Sequence, residues 1–566
     1  MAISVRCLFR RSLLIGGLLV VGACGGGGGS ADRQPAPVPP APAPAPTTAE
    51  LNASSLLAAQ ATFGMPYEGI EAMARTGNEP WLDAQFAMPV TRHTPIVNDL
   101  VTRRSAGEFS NFEQDIEFLI FFRRFGWWHN TITADDVLRQ RVAFALSEIM
   151  VVSDNVDALI INPYALTNYY DMLLRNSFGN FRDLLTDVTL HPAMGIYLSH
   201  VNNRKSDAVN NTFPDENFAR EVMQLFSIGL FELNIDGSLQ TDGNGQPIPT
   251  YSNTEIREFA KMFTGLSYGG PGSSFGNQNP VFQAPMVMFD AFHEPGEKRL
   301  LNGLVVPAGQ TGDQDIEAAI DNLFNHPNVG PFIGKQLIQR LVTSNPSPEY
   351  VERVARVFNG DVSGVRGDLQ AVIRAVLLDV EASNPPTPAN GGKLREPIVR
   401  YAAMIRQFNA TSTDGFFFNT GYYVQNVLRQ HPLSSPSVFN FFLPAHSPSG
   451  ELSDASLVAP EFQITTSTTI ANMTNVVDFA VNGGFVMDAP DPPFGTVTLD
   501  MSDYVAVAGD VDALLDRLNI VVLHGGLSDA TRAAIRGVLV DIADLQFRAQ
   551  TAIYLLLVSP DYAVQT

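Results

Sequence analysis

The chain has 566 residues, 45% of them hydrophobic, and sets 36 lysines and arginines against 58 aspartates and glutamates for a formal net charge of −22. That acidic balance disfavours nucleic acid and anionic membrane surfaces as partners, while the length suffices for a large buried core. Only two cysteines are present, Cys7 and Cys24, which excludes a framework of several disulfides.

The chain opens on Arg6, Arg10 and Arg11, then an apolar run from Leu13 to Ala23, then Cys24. A basic start, a short apolar run and small residues before a cleavage point make an export signal, and the run is too short to span a bilayer permanently. Val21-Gly22-Ala23-Cys24 resembles the lipobox of bacterial lipoproteins. The resemblance implies removal of residues 1–23 as a signal peptide and a lipid on Cys24 that anchors the protein to a membrane. An ordinary secretory peptide with an incidental cysteine fits less well, because Cys24 lies at the end of the run and a tether follows it. Phe9-Arg10-Arg11-Ser12 also resembles a twin-arginine signal; Phe9 stands where Ser or Thr is favoured, so the general secretory route is preferred. The glycine run after Cys24, with no Asp next to it, resembles lipoproteins released to the outer membrane.

Cleavage takes three arginines and Cys7 away, leaving 33 basic against 58 acidic residues, a charge of −25, and Cys24 as the sole cysteine. Residues 24–49 then form a tether. Gly25 to Gly29 are flexible, and the Pro-Ala stretch over 35–46 extends as polyproline II for roughly 35–40 Å.

From residue 50 onward helical periodicity dominates. It predicts helices over 110–127, 134–152, 163–176, 179–190, 213–228, 253–265, 314–326, 330–343, 347–358, 366–380, 394–408, 462–480, 510–519, 528–541 and 543–558. Strand signals are few: 285–292 and 298–306 flank Glu294-Pro295-Gly296-Glu297 as a hairpin, and Thr496 to Leu499 is a further short strand. The expected fold is mainly α, one large multi-helix domain over residues 50–566 with a small β-hairpin addition. A split near residue 310 is the alternative.

Thr212-Phe213-Pro214-Asp215 and Ser252-Asn253-Thr254-Glu255 read as capping boxes opening two helices. On the first, Phe218, Val222, Leu225, Phe226 and Gly229 form a buried stripe. Glu216, Arg220 and Gln224 share a polar row, with Asn217 and Glu221 in the row beside it. Two carboxylates beside a guanidinium suit general acid–base work with a cation to stabilise developing negative charge. A solvated helix face with a Glu216–Arg220 pair is the plainer reading. His293, at the predicted turn, is a general base if it comes within hydrogen-bond reach of Glu216 or Glu221. The catalytic candidates are therefore Glu216, Arg220, Glu221 and His293. Trp127-Trp128-His129 suits sugar stacking, though anchoring a helix end in the core is preferred. The Asp242-to-Gln246 loop lacks the Glu that a calcium loop needs at its twelfth position, which here is Asn253. No metal or cofactor is implied, and H-E-x-x-H, Walker A and G-x-S-x-G signatures are absent.

Several segments together resemble a widespread bacterial family named only as domain of unknown function 1800. They are Leu138 to Ser147, Tyr169 through Met194, Glu216 to Gly229, Tyr251 to Leu266, His293 to Lys298, Lys393 to Pro397 and Ser435 to Phe439. The resemblance implies a predominantly helical fold and no established chemistry. Gln224 and Phe226 stand where the family often has Glu and His. It also implies a conceivable partner, a sulfatase-like exported protein. Two readings follow: an envelope lipoprotein that binds or assembles a partner, or an extracytoplasmic hydrolase-like enzyme with a Glu/His/Arg site.

Overall fold

Capping chemistry fixes many of the helix starts. Thr47 with Glu50, Ser252 with Glu255 and Thr311 with Gln314 each form a reciprocal capping box, opening the helices Thr48–Ala61, Asn253–Met262 and Gly312–Phe324. The computed structural model describes residues 44–108, 115–362, 364–384, 392–417, 424, 426–483 and 496–565. The predicted signal peptide, the lipidation site Cys24 and nearly all of the tether lie outside these. Among the described residues, twenty-five α-helices stand beside four antiparallel strand pairs of two residues each. The fold is mainly α, and each of the fifteen predicted helical segments holds a helix.

The helices with no counterpart among the predictions include the first four, Thr48–Ala61, Tyr67–Thr76, Asn78–Ala87 and Thr94–Ser105, besides several short ones such as Pro192–Tyr197 and Ser502–Val507. The first shows why. It buries Leu51, Ser54, Ser55, Leu56, Leu57, Ala58, Gln60 and Ala61, so it is covered on most sides and presents no single apolar stripe.

The predicted hairpin is replaced by two separate ladders. Val287–Met288 pairs with Leu266–Ser267, and Lys298–Arg299 pairs with Val305–Val306. Residues 294–297 join the two ladders and close neither. The Lys298 ammonium donates to the Glu294 carbonyl at 2.5 Å and to Asp315 on the 312–324 helix, which draws this strand to that helix. The predicted strand at Thr496 forms as Val497–Thr498, against Thr411–Ser412.

A continuous apolar core runs through the unit Pro46–Thr566. Trp127 and Trp128 lie inside it, 2% and 0% exposed. Trp127 meets Phe63 edge-on at 5.7 Å and Trp128 at 4.8 Å. These rings anchor the end of the 115–133 helix by packing. No helix among the described residues is long and apolar enough to cross a membrane.

Candidate functional site

The helix carrying Glu216, Arg220 and Glu221 begins later than its sequence suggests. Thr212 does not cap it. Thr212 instead exchanges backbone hydrogen bonds with Asp207, whose carboxylate accepts from the Val209 and Asn210 amides and holds 207–212 as a loop. The helix runs Asn217–Gln224 from Glu216 as N-cap, and Asp215 accepts from the Asn217 amide at 2.8 Å. Five residues past its end, Gly229 at φ 74° turns the chain; a Cβ there would lie 2.8 Å from the Phe332 ring.

Glu216 and Arg220 form an intrahelical pair at 3.3 Å with side chains about two-fifths exposed (38% and 40%), a contact contributing a few tenths of a kcal/mol, roughly 0.2–0.5. Glu221 differs. It is 7% exposed, and its Oε2 has no hydrogen-bond partner. Burial raises its pKa, against a smaller downward pull from Arg220.

His293 is buried at 2% exposure and both ring nitrogens are engaged. Nδ1 lies 2.9 Å from the Thr264 carbonyl, and Nε2 lies 2.9 Å from Asp315 Oδ2, which also takes the Lys298 ammonium. Asp315 and Lys298 are 0% and 1% exposed. The His293 bonds thus go to Thr264, Asp315 and Lys298 and not to Glu216 or Glu221. The network ties residues 293–298 to the 253–262 and 312–324 helices.

A second cluster of charge lies deeper and was not singled out from sequence. Arg141 and Glu148 come from the Val137–Ser147 helix and its C-cap. Arg340 comes from the Val329–Leu341 helix, Glu396 caps the Pro397–Gln407 helix, and Glu461 lies in the turn Pro460–Gln463. All five are buried. Arg141 donates through Nη2 to the Arg340 carbonyl at 2.6 Å, and Arg340 donates to the Glu148 carbonyl at 2.9 Å, with its Nε 3.8 Å from Glu148 Oε2. Gln430 donates to Glu396 Oε2 at 2.6 Å, Asn440 to Glu148 Oε1 at 3.3 Å, and Lys393 to Glu461.

The remaining polar atoms in this cluster lack partners. Glu148 Oε2, Glu396 Oε1, Glu461 Oε2, and both Nε and Nη1 of Arg141 are buried with no hydrogen bond. Buried polar atoms are ordinarily paired, so several orphans in one place mark it out. Burial raises Glu148 well above the usual carboxylate range, and its contact with Glu396 raises it further. Burial also pushes Glu461 up and lowers both Arg141 and Arg340. Glu148 stands at a helix C-terminus, which also disfavours a negative charge there. A proton on Glu148, which burial favours, gives an orphaned oxygen a donor.

The sequence did hold a signal for this cluster. Arg141 and Glu148 are spaced i, i+7 in line with apolar residues of their helix, and Glu396 directly precedes Pro397 at a helix start. Arg141, Lys393 and Glu396 also belong to the strips that carry the family likeness. Among the described residues no group of three or more His, Cys, Asp or Glu side chains is arranged to hold a metal ion.

The sequence model of the family described as "Protein of unknown function (DUF1800)" matches residues 56–564. No curated protein and no solved structure matches the chain.

Proposed function

The chain belongs to this family of unknown function (DUF1800), and from that premise we propose that it is an exported, lipid-anchored envelope protein whose helical domain performs general acid–base chemistry, of hydrolytic type, at Glu148 and Glu396. The observation that carries the catalytic part is the buried carboxyl pair flanked by arginine N–H groups without partners. A buried carboxyl that its surroundings raise supplies an acid, and a second carboxyl beside it supplies a base. Unpartnered guanidinium donors in a dry site are placed to stabilise charge that develops in a transition state. The alternative site built on Glu216, Arg220 and His293 has less support, since each of those side chains is already engaged.

The export and anchoring part rests on the segment ending at Cys24. In the native host, wild-type protein is expected in the membrane fraction, with the outer membrane as the proposed destination, and Cys24→Ser in the soluble fraction. Partitioning of both alike contradicts the anchor.

For the chemistry, the full mature chain is assayed against chromogenic glycosides, esters and amides. Turnover of one class that falls on the order of 100-fold or more in Glu148→Gln and Glu396→Gln supports the site. Turnover that survives both substitutions contradicts it.

One observation favours docking of a partner as a second reading. Val209 and Phe213 are 93% and 73% exposed on the 207–213 loop, and exposed apolar side chains close together suit a protein contact. The sulfatase-like exported protein is the proposed partner. Its co-purification with wild type but not with Phe213→Ser tests this.

A further inference from the structure

The first helix of the domain, Thr48–Ala61, meets the end of the Val511–Leu523 helix at a strained cap. His524 closes the second helix in the left-handed region, at φ 57°, a conformation that few side chains adopt. Its amide donates to Asn519. The Ile520 carbonyl thereby loses its partner four residues on and takes the Ser55 hydroxyl at 2.5 Å. The same Ser55 Oγ lies 2.7 Å from His524 Nδ1. A hydroxyl has one proton, and here it goes to Ile520, so Nδ1 carries a hydrogen and donates to Oγ. Burial, with Arg395 adding to it, lowers His524 from 6.5 to about 3, so the ring is neutral and holds one N–H. Nε2 is then a bare acceptor, buried and without a partner.

Gln407 supplies a second such atom. It ends the Pro397–Gln407 helix and is 3% exposed. Its Nε2 donates to the Val521 carbonyl at 2.7 Å, which leaves Oε1 as an acceptor, again buried and without a partner. Ser55, Gln407 and His524 line one cavity of about 10 Å³, walled otherwise by Arg395 and by apolar residues such as Val399 and Val521. We propose that this cavity is a binding site for a single internal water, which donates one hydrogen to His524 Nε2 and the other to Gln407 Oε1. The size selects the ligand, because roughly 10–15 Å³ is what one water needs and nothing larger fits. The chemistry selects it as well. Two acceptors repel an anion, and the Arg395 guanidinium in the wall repels a metal or ammonium cation. Water is neutral and has two donors for two orphaned acceptors.

The water joins the helices 397–407 and 511–523, and through His524 and Ser55 it reaches the helix 48–61, into which the tether runs. The same hydrogen-bond directions decide what Ser55 does. Its proton is held by the Ile520 carbonyl, and the Nδ1 facing it is already protonated, so Ser55 and His524 are not a nucleophile and its base. The site stands independently of the chemistry proposed at Glu148 and Glu396.

Two measurements on the full mature chain test this. A high-resolution crystal structure is expected to show one ordered water about 3 Å from both His524 Nε2 and Gln407 Oε1. Nitrogen NMR of the chain labelled with 15N-histidine reads the tautomer in solution, with His524→Asn identifying the signals, since Asn tolerates the left-handed cap. The His524 ring is expected to hold its hydrogen on Nδ1, with Nε2 an unprotonated acceptor, unchanged from about pH 8 to about pH 5. Gln407→Met is expected to lose the water and to move the Nε2 signal while the Nδ1 hydrogen stays. Should that variant misfold, the two wild-type measurements carry the test. A wild-type crystal without that water, a hydrogen on Nε2 in place of Nδ1, or labelling of Ser55 by a fluorophosphonate probe overturns the proposal.

Discussion

Glu148 and Glu396 are buried in one cluster of charge: burial raises the Glu148 carboxyl, Glu396 raises it further, and each residue keeps an oxygen that no donor in the described chain reaches. If the folded interior keeps a proton on Glu148, an amide in its place preserves its contacts. Glu148→Gln is therefore expected to change unfolding stability by less than about 1 kcal/mol. Glu148→Ala empties the site and leaves Asn440 without its acceptor, and is expected to cost about 1–3 kcal/mol. Denaturant melts of the two variants at one pH check the contrast; equal losses count against the retained proton.

The same pair sets a pH dependence. The folded carboxyl of Glu148 holds its proton above the ordinary value of 4.5, so between the two pKa values the folded state carries more protons than the unfolded one. Its contribution is fully present below about 4.5 and is lost as pH rises through the folded value. Stability of the wild type, measured from pH 5 upward, should fall more steeply than that of Glu148→Gln.

Buried histidines give the opposite slope. Burial lowers His93 and His200 from 6.5 to about 4. His200 stacks on Phe218 at 3.9 Å, and one ring nitrogen lies against the Thr189 carbonyl at 2.8 Å. The unfolded imidazole binds a proton near 6.5 and the folded one only near 4, so this stability is present above 6.5 and is lost as pH falls. His200→Gln should remove about 3 kcal/mol of the loss seen between neutral pH and pH 4. An unchanged acid limb contradicts the assignment.

Asp315 holds His293 and Lys298 together in a dry environment. Asp315→Ala leaves Lys298 without its counter-charge and is expected to cost about 3–5 kcal/mol. Under the proposed function this change acts on stability only. Below its melting temperature the variant keeps wild-type kcat; a specific loss of kcat would return His293 to the catalytic centre.

What the sequence made legible followed from period and capping. The 3.6-residue pattern located the long helices, and Ser252 with Glu255 capped as their spacing implied. Thr212 misled because Asp207 captures the loop first, a tertiary choice invisible in a four-residue pattern. The 285–306 hairpin failed because Val287 and Met288 found Leu266 and Ser267 as partners, while Lys298 was drawn to Asp315. Among the candidate residues, burial separates Glu221 from Glu216, five residues earlier at the helix N-cap. Arg141 and Glu148 were readable as charges on an apolar stripe. Their meeting with Arg340, Glu396 and Glu461 required the fold, because those residues come from distant helices.

The central claim is that the folded interior keeps a proton on Glu148 well above the usual carboxylate range. Infrared difference spectroscopy of the carboxyl carbonyl stretch reads it directly. The account predicts a protonated-carboxyl band at pH 7 in the wild type that disappears in Glu148→Gln and shifts in Glu396→Gln. A wild-type spectrum with no such band, or a band untouched by either substitution, would contradict it.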